Sequence, residues 1–377
     1  MLTALGISLD NRFESLGELA DLTQSIMHHT AAVDLTPDGH MDKPARLYNL
    51  GAAFSTRFEK LGDLADLAQS ITSMVAAVEL APDDHTQKPT FLVNLGKSLG
   101  KRFEQLGDPA DLEQSITYHT AAVDLISDDH LDKPTLLNYL GVSLFKKFER
   151  LGNLPDLNQS ITYHTAAVDK TPDGHMEKPS LLDSLALSLR HRFERLGDLE
   201  DINQSIIYHT DAVDLTPNGN PEKPRRLEHL GSCLSHRFEQ HGDLEDIRKS
   251  IIQLKVAIDL TPHGHADLPL RLDILGTSFF YRYQCLRELG DINQAIIYEQ
   301  AAVELTAVSH LAKPSRLSNL GTFLMVRFQQ SGDLGDLTRS LTHMEAAMNL
   351  TPDGHSALPG QLNSLGTYFF QRFKKLA

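Results

Sequence analysis

Apolar residues along the chain fall into short stripes with a helical rhythm, and each stripe returns in the same phase. Between residues 44 and 88, Leu47, Leu50, Phe54, Phe58 and Leu61 lie three or four apart. Leu64, Leu67, Ile71, Val75 and Val78 then repeat that spacing. Such spacing marks two amphipathic helices rather than strands, whose apolar positions would alternate. Pro44 suits a first helical turn, where its missing N–H leaves no bond unmade. Gly62 is placed to close the first helix, and Asp63 to cap the second. The next copy has Asp108-Pro109 at that point, an N-cap followed by proline at the first helical position. The second stripe ends before Pro82. The pattern predicts a helix–turn–helix pair with roughly 17 residues, about 25 Å, per helix.

The pair recurs every 45 residues without insertion or deletion. Leu-Gly stands at Leu5-Gly6, Leu50-Gly51, Leu95-Gly96, Leu140-Gly141, Leu230-Gly231, Leu275-Gly276, Leu320-Gly321 and Leu365-Gly366, with Leu185-Ala186 as the one variant. A basic–aromatic pair keeps the same phase, from Arg12-Phe13 to Arg372-Phe373. The units are 1–43 (lacking the start of its first helix), 44–88, 89–133, 134–178, 179–223, 224–268, 269–313, 314–358 and the half repeat 359–377. One pair cannot bury its own stripes, so neighbours must stack. The expected fold is all-α: a single right-handed α-solenoid, or superhelix, over residues 1–377, with eight full repeats and one half repeat. The abrupt start at Leu2 and the stop inside the ninth unit suggest a segment of a longer array or a pared-down gene product.

These residues resemble a tetratricopeptide repeat (TPR). Leu47, Leu50-Gly51 and Phe54 match that family's first helix, and Ser70, Met74, Ala77 and Pro82 its second helix and closing proline. The unit is longer than the family's usual 34 residues. The extra length falls in the RFEKLGD region and in the loop between repeats. This long form, with RFExLGDLxDLxxSI and TPDGHxDKPxxLxxLG, is similar to the repeat arrays of fungal proteins that carry a CHAT (caspase-like) domain. The resemblance implies a protein-interaction scaffold without enzymatic activity of its own. It also implies a sensing or regulatory arm of a CHAT-type protease, in cis or in trans.

Composition narrows the partners. A formal net charge of −15 with no basic run argues against nucleic acid and anionic membranes. No apolar stretch reaches membrane-spanning length, and the N-terminus lacks a signal-peptide pattern. Two cysteines, Cys233 and Cys285, supply no disulfide framework, so a cytoplasmic setting is expected. Neither has the glycine-rich setting of a nucleophile.

Three repeated constellations invite a chemical reading. The loop histidines His40, His85, His130, His175, His265, His310 and His355 suggest a metal ladder or a row of bases. Loops one repeat apart, however, hold them too far from one another to share an ion. A turn role, with the imidazole capping or packing on backbone, is expected instead. Arg57 and its copies suggest an anion ladder, yet Asp66 and its copies recur beside them, which favours structural ion pairs. Tyr118-His119-Thr120 and its copies lack a nucleophile partner and read as surface and inter-repeat packing positions.

Within the resembled family, the first helices line a concave groove. The positions in that phase vary here while the framework does not. The candidate partner-binding residues are Tyr48, Asn49, Asn94, Lys97, Lys101, Asn138, Phe145, Arg190, His229, His236, Phe280, Tyr281, Met325 and Phe370. No three successive repeats supply the lysine and asparagine set that grips EEVD tails. No cofactor, metal site or catalytic residue is assigned. The leading reading is a scaffold that binds a peptide or protein. The alternatives are a metal-binding or hydrolytic protein using the loop histidines, and a ligand-free spacer.

Overall fold

The computed structural model describes residues 1–376, and those residues form seventeen α-helices and no strand. α1 (Leu2–Leu16) pairs with α2 (Leu19–Asp34), and α3 (Lys43–Leu61) with α4 (Leu64–Leu80). The next pairs are α5 (Lys88–Leu106) with α6 (Pro109–Asp124), and α7 (Lys133–Leu151) with α8 (Leu154–Lys170). α9 (Lys178–Leu196) precedes α10 (Leu199–Asp214), and α11 (Lys223–His241) pairs with α12 (Leu244–Asp259). Then come α13 (Leu268–Leu286) with α14 (Leu289–Leu305), α15 (Lys313–Ser331) with α16 (Leu334–Leu350), and α17 (Leu358–Leu376).

The chain divides into two compact units, Met1–Ser188 and Leu189–Ala377, and the division passes through α9. Within each unit, an odd-numbered helix packs on the following even one, which packs on the next odd one. Odd helices also touch each other: α1, α3, α5 and α7 in the first unit, and α11, α13 and α15 in the second. Each unit is therefore a stack of helix pairs, the solenoid arrangement expected from the period.

The local signals act as their chemistry dictates. Gly62 closes α3 in the left-handed conformation, φ 70°, and its N–H donates to the Phe58 carbonyl. Asp63 caps α4 by accepting from the Ala65 N–H at 2.9 Å. The stripes are refined by the stacking. In α3, Leu47, Leu50 and Phe58 are buried, but Leu61 is exposed. In α4, Ser70, Met74 and Ala77 join Leu67 and Ile71 in the core, while Val75 and Val78 are half-buried and Leu64 is exposed. An even helix packs between two odd ones, so it buries more than a single stripe, including small residues where backbones approach.

Candidate functional site

The joint between repeats holds the histidine row. In 36–44, the His40 N–H donates to the Pro37 carbonyl and the Lys43 N–H to the His40 carbonyl. The His40 Nδ1 accepts from the Asp42 N–H at 3.1 Å. His85, His130, His175, His265, His310 and His355 accept from the residue two ahead in the same way, at 3.1–3.3 Å. Where the row lacks a histidine, the Asn220 Oδ1 accepts from the Glu222 N–H at 2.9 Å. The expected turn role holds: the ring supplies one acceptor to a donor at the start of a helix. Among the described residues, no loop histidine belongs to a cluster of three metal-capable side chains.

The lysine of the same joint points backward. Lys43 Nζ donates to the carbonyls of Thr36 (2.7 Å) and Val33 (3.0 Å), at the end of the preceding helix. Lys133, Lys178, Lys223 and Lys313 do the same in their own repeats. A cation at the negative end of a helix is favourable. The framework arginines are spent as expected too. Arg57 donates Nε and Nη2 to the two Asp66 carboxylate oxygens at 2.7 and 2.5 Å, a bidentate fork. Arg12, Arg102, Arg192, Arg237, Arg282 and Arg327 form the same fork. Lys147, the one lysine of the series, lies 2.9 Å from Glu113 and 3.8 Å from Asp156.

The Tyr-His-Thr histidines are core residues, not surface ones. A Cβ on Gly96 would lie 2.5 Å from the His119 ring, so the glycine makes room for the imidazole. The His119 Nε2 donates to the Val93 carbonyl at 3.2 Å, which leaves Nδ1 to accept from the Ser143 hydroxyl at 2.9 Å. Burial pushes His119 and His164 down to about 4, so both rings are neutral at pH 7. Met74, Leu254, Met344 and Glu299 fill the equivalent place in other repeats.

The odd-helix face carries what the framework leaves over. In the first unit, Tyr48 stacks on Phe91 at 4.9 Å, and the Asn94 Nδ2 donates to the Tyr48 hydroxyl at 3.2 Å. Lys97 Nζ sits 5.0 Å over the Tyr139 ring, within reach of a cation–π contact. A cleft of about 270 Å³ opens between α5 and α7, lined by Asn94, Lys97, His130, Thr135 and Tyr139 among others. Lys97 has no carboxylate partner among the described residues. Lys101 and Lys146 do, pairing with Glu59 and Glu104 of the preceding repeat. Asn49 on α3 and Asn138 on α7 are half-buried, and the buried Asn138 Oδ1 has no hydrogen-bond donor among the described residues.

The second unit continues the series in another chemistry. Arg190, His191 and His236 surround Glu194 at 2.7, 3.1 and 3.8 Å. Burial alone would raise Glu194, but the His191 hydrogen bond and the charge of Arg190 hold it below its usual range. Burial, and then the charge of Arg190, pushes His236 down. Burial and the Glu239 hydrogen bond push the Tyr281 hydroxyl up. Phe280 stacks on Phe323 at 4.6 Å, and the His229 ring lies 5.4 Å from His209. Phe370 is exposed on α17.

Two of the candidate residues lie in the core. Phe145 packs into the core 6.3 Å from Phe148, and Met325 is buried among Phe328, Leu337 and Leu341. Both share the repeat position of Arg190, Phe280 and Phe370, which are half-buried or exposed, so burial at that position differs from repeat to repeat. Lys101, His236 and Tyr281 are on the face but engage framework glutamates, so part of the variation there is a structural pairing. Tyr139 and Thr135 escaped sequence reading. The signal for Tyr139 was present, since it shares the phase of Asn49 and Asn94.

No family profile and no curated protein matches the chain. Solved structures do. The apo form of the quorum sensor NprR from B. thuringiensis is 11% identical, covering 92% of this chain and 86% of its own, with a TM-score of 0.56. An IFIT1 monomeric mutant with Gppp-AAAA is 14% identical, covering 95% of this chain and 68% of its own, at 0.54. The C-terminal part of a TPR repeat-containing protein from Cytophaga hutchinsonii is 12% identical, covering 82% and 98%, at 0.49. The likeness to the first two is one of fold, and no described helix is long and apolar enough to cross a membrane.

Proposed function

We propose that the chain is a non-enzymatic interaction scaffold that holds a peptide or protein partner along its odd-numbered helices, with the α5–α7 cleft as its best-formed seat. One observation carries this reading. The repeated charges of the first unit are spent on forks, caps and ladder pairs, whereas Lys97 faces the cleft without a carboxylate. Tyr139 supplies a flat apolar surface beside it, and Asn94 an amide. Odd helices touch one another along each unit, and a row packed more closely than its opposite face curves inward, which favours it as the concave side. The loop histidines give Nδ1 to the backbone, which supports the joint role over a metal or hydrolytic one.

We read the protein served by the scaffold as a CHAT-type protease, in cis or in trans. The support is the 45-residue unit with its two signatures. The test of the scaffold uses a random peptide library displayed on phage and selected on the immobilised full chain. Selected peptides are expected to lose at least tenfold in affinity to the Lys97→Ala and Tyr139→Ala variants. Failure to enrich any peptide, or binding untouched by both changes, refutes the α5–α7 seat.

A further inference from the structure

The even-numbered helices of the second unit carry a feature that the framework does not require. Ile207, Ile252 and Ile297 occupy one position in three consecutive repeats and are 50%, 57% and 57% exposed. In the first unit that position holds Met27 in the first repeat and then Thr72, Thr117 and Thr162, whose hydroxyls donate to the carbonyl four residues back at 2.9–3.0 Å. In the second unit, Thr342 does so too, at 3.1 Å. The same fold is thus built with a polar residue there, and core packing does not explain isoleucine. Exposed aliphatic side chains repeated in register form a patch that soluble proteins usually avoid.

The patch extends along each helix. Val256 and Leu260 follow Ile252 at four and eight residues, all on one stripe and all exposed. Leu215 and Leu305 prolong the neighbouring stripes. One acid stands seven residues beyond each isoleucine, on the same face: Asp214, Asp259 and Glu304, all exposed. They sit in the last turns of α10, α12 and α14, where the helix dipoles add further negative potential. Asp214 and Asp259 have no ion-pair partner among the described residues.

We infer that this even-helix face of the second unit is a second docking surface, and that it takes an amphipathic helix with an aliphatic stripe flanked by lysine or arginine. Charge selects that occupant. The isoleucine rows end in carboxylates and helix C-termini, and with Glu200, Asp211 and Glu245 the acids of the face outnumber its bases Arg248 and Lys255, so a basic flank gains where an acidic one is repelled. A second copy of the chain, at a net charge of −15, is the less complementary occupant.

The probe is a dye-labelled 18-residue synthetic helix with leucines on one face and lysines elsewhere, titrated against the full chain by fluorescence anisotropy. Replacing Ile207→Thr, Ile252→Thr and Ile297→Thr together is expected to weaken binding at least tenfold. The circular dichroism melt should not change, because threonine is native to this position. Asp214→Asn, Asp259→Asn and Glu304→Gln together should weaken it at least threefold, and a glutamate-for-lysine version of the peptide should not bind. Equal binding by the folded threonine variant overturns the proposal, as does equal binding of the glutamate peptide. So does a dimer, seen by sedimentation, that the threonine changes abolish, because a second copy then covers the face.

Discussion

Glu299 is the residue least at home in its surroundings. It fills the place of Met74 and Met344 against the helix-packing glycine, is fully buried, and neither carboxyl oxygen has a hydrogen-bond partner of good geometry. Burial, with the Asp273 charge next, pushes its carboxyl up to about 10 from an ordinary 4.5. A folded-state value above the unfolded one means that the stabilising contribution is complete below pH 4.5 and is lost as pH rises toward 10. At neutral pH the unfolded chain releases a proton that the folded chain must keep. Glu299→Met removes this dependence, so its stability advantage over the native chain should grow by about 2–3 kcal/mol between about pH 5 and pH 7. Urea denaturation at the two pH values checks it, and an advantage equal at both clears Glu299 of the role. His119 shows the opposite case, a titratable group kept neutral and fully bonded by Val93 and Ser143.

At the scale of one element, the start of each odd helix from α3 onward depends on a side-chain acceptor in the preceding joint, two residues before the N-cap. Asn220 shows what the position requires: an acceptor on a short side chain, not an imidazole as such. His40→Asn should therefore leave stability nearly unchanged, whereas His40→Ala should cost about 0.5–1 kcal/mol, the usual loss when a helix-start acceptor is removed. Thermal melts of the two variants compare the cases, and equal losses would show that the ring acts by packing instead. Helix starts, stops and pair spacing were legible in the sequence because Pro44, Gly62 and Asp63 act locally. The inner stripe of α4 was less so. Ser70 and Ala77 are buried because two odd helices press on one even helix, and a single-helix rhythm does not register a second neighbour. Phe145 and Met325, on odd helices, were misplaced because their repeat position is buried in some repeats and open in others, as at Arg190 and Phe370. The cleft needed coordinates, since Lys97 and Tyr139 are 42 residues apart and meet only through stacking.

Over the whole molecule, contacts stay between neighbouring helices, so stability is expected to be distributed along the chain rather than pooled in one core. A change in one repeat should then be felt close to its origin. Hydrogen exchange followed by mass spectrometry tests this: Glu299→Met should slow exchange in α13 to α16 and leave α3 to α6 of the first unit as they were. Uniform slowing across both units would show a single cooperative block. The odd-helix face was legible as a varied surface, but which varied residues remain open to a partner was not. Lys101, His236 and Tyr281 look alike in that respect until their glutamates are seen.

Every joint in the first unit is closed by its own residues: lysine to the helix behind, histidine to the helix ahead. Nothing in that chemistry depends on which two repeats it connects. Excising residues 89–133 would join 44–88 to 134–178 through a joint of the same composition, with His85 to Lys88 taking the place of His130 to Lys133. The array is therefore written in interchangeable words, and its length can change by whole repeats, through in-frame gain or loss, without any new interface having to be invented.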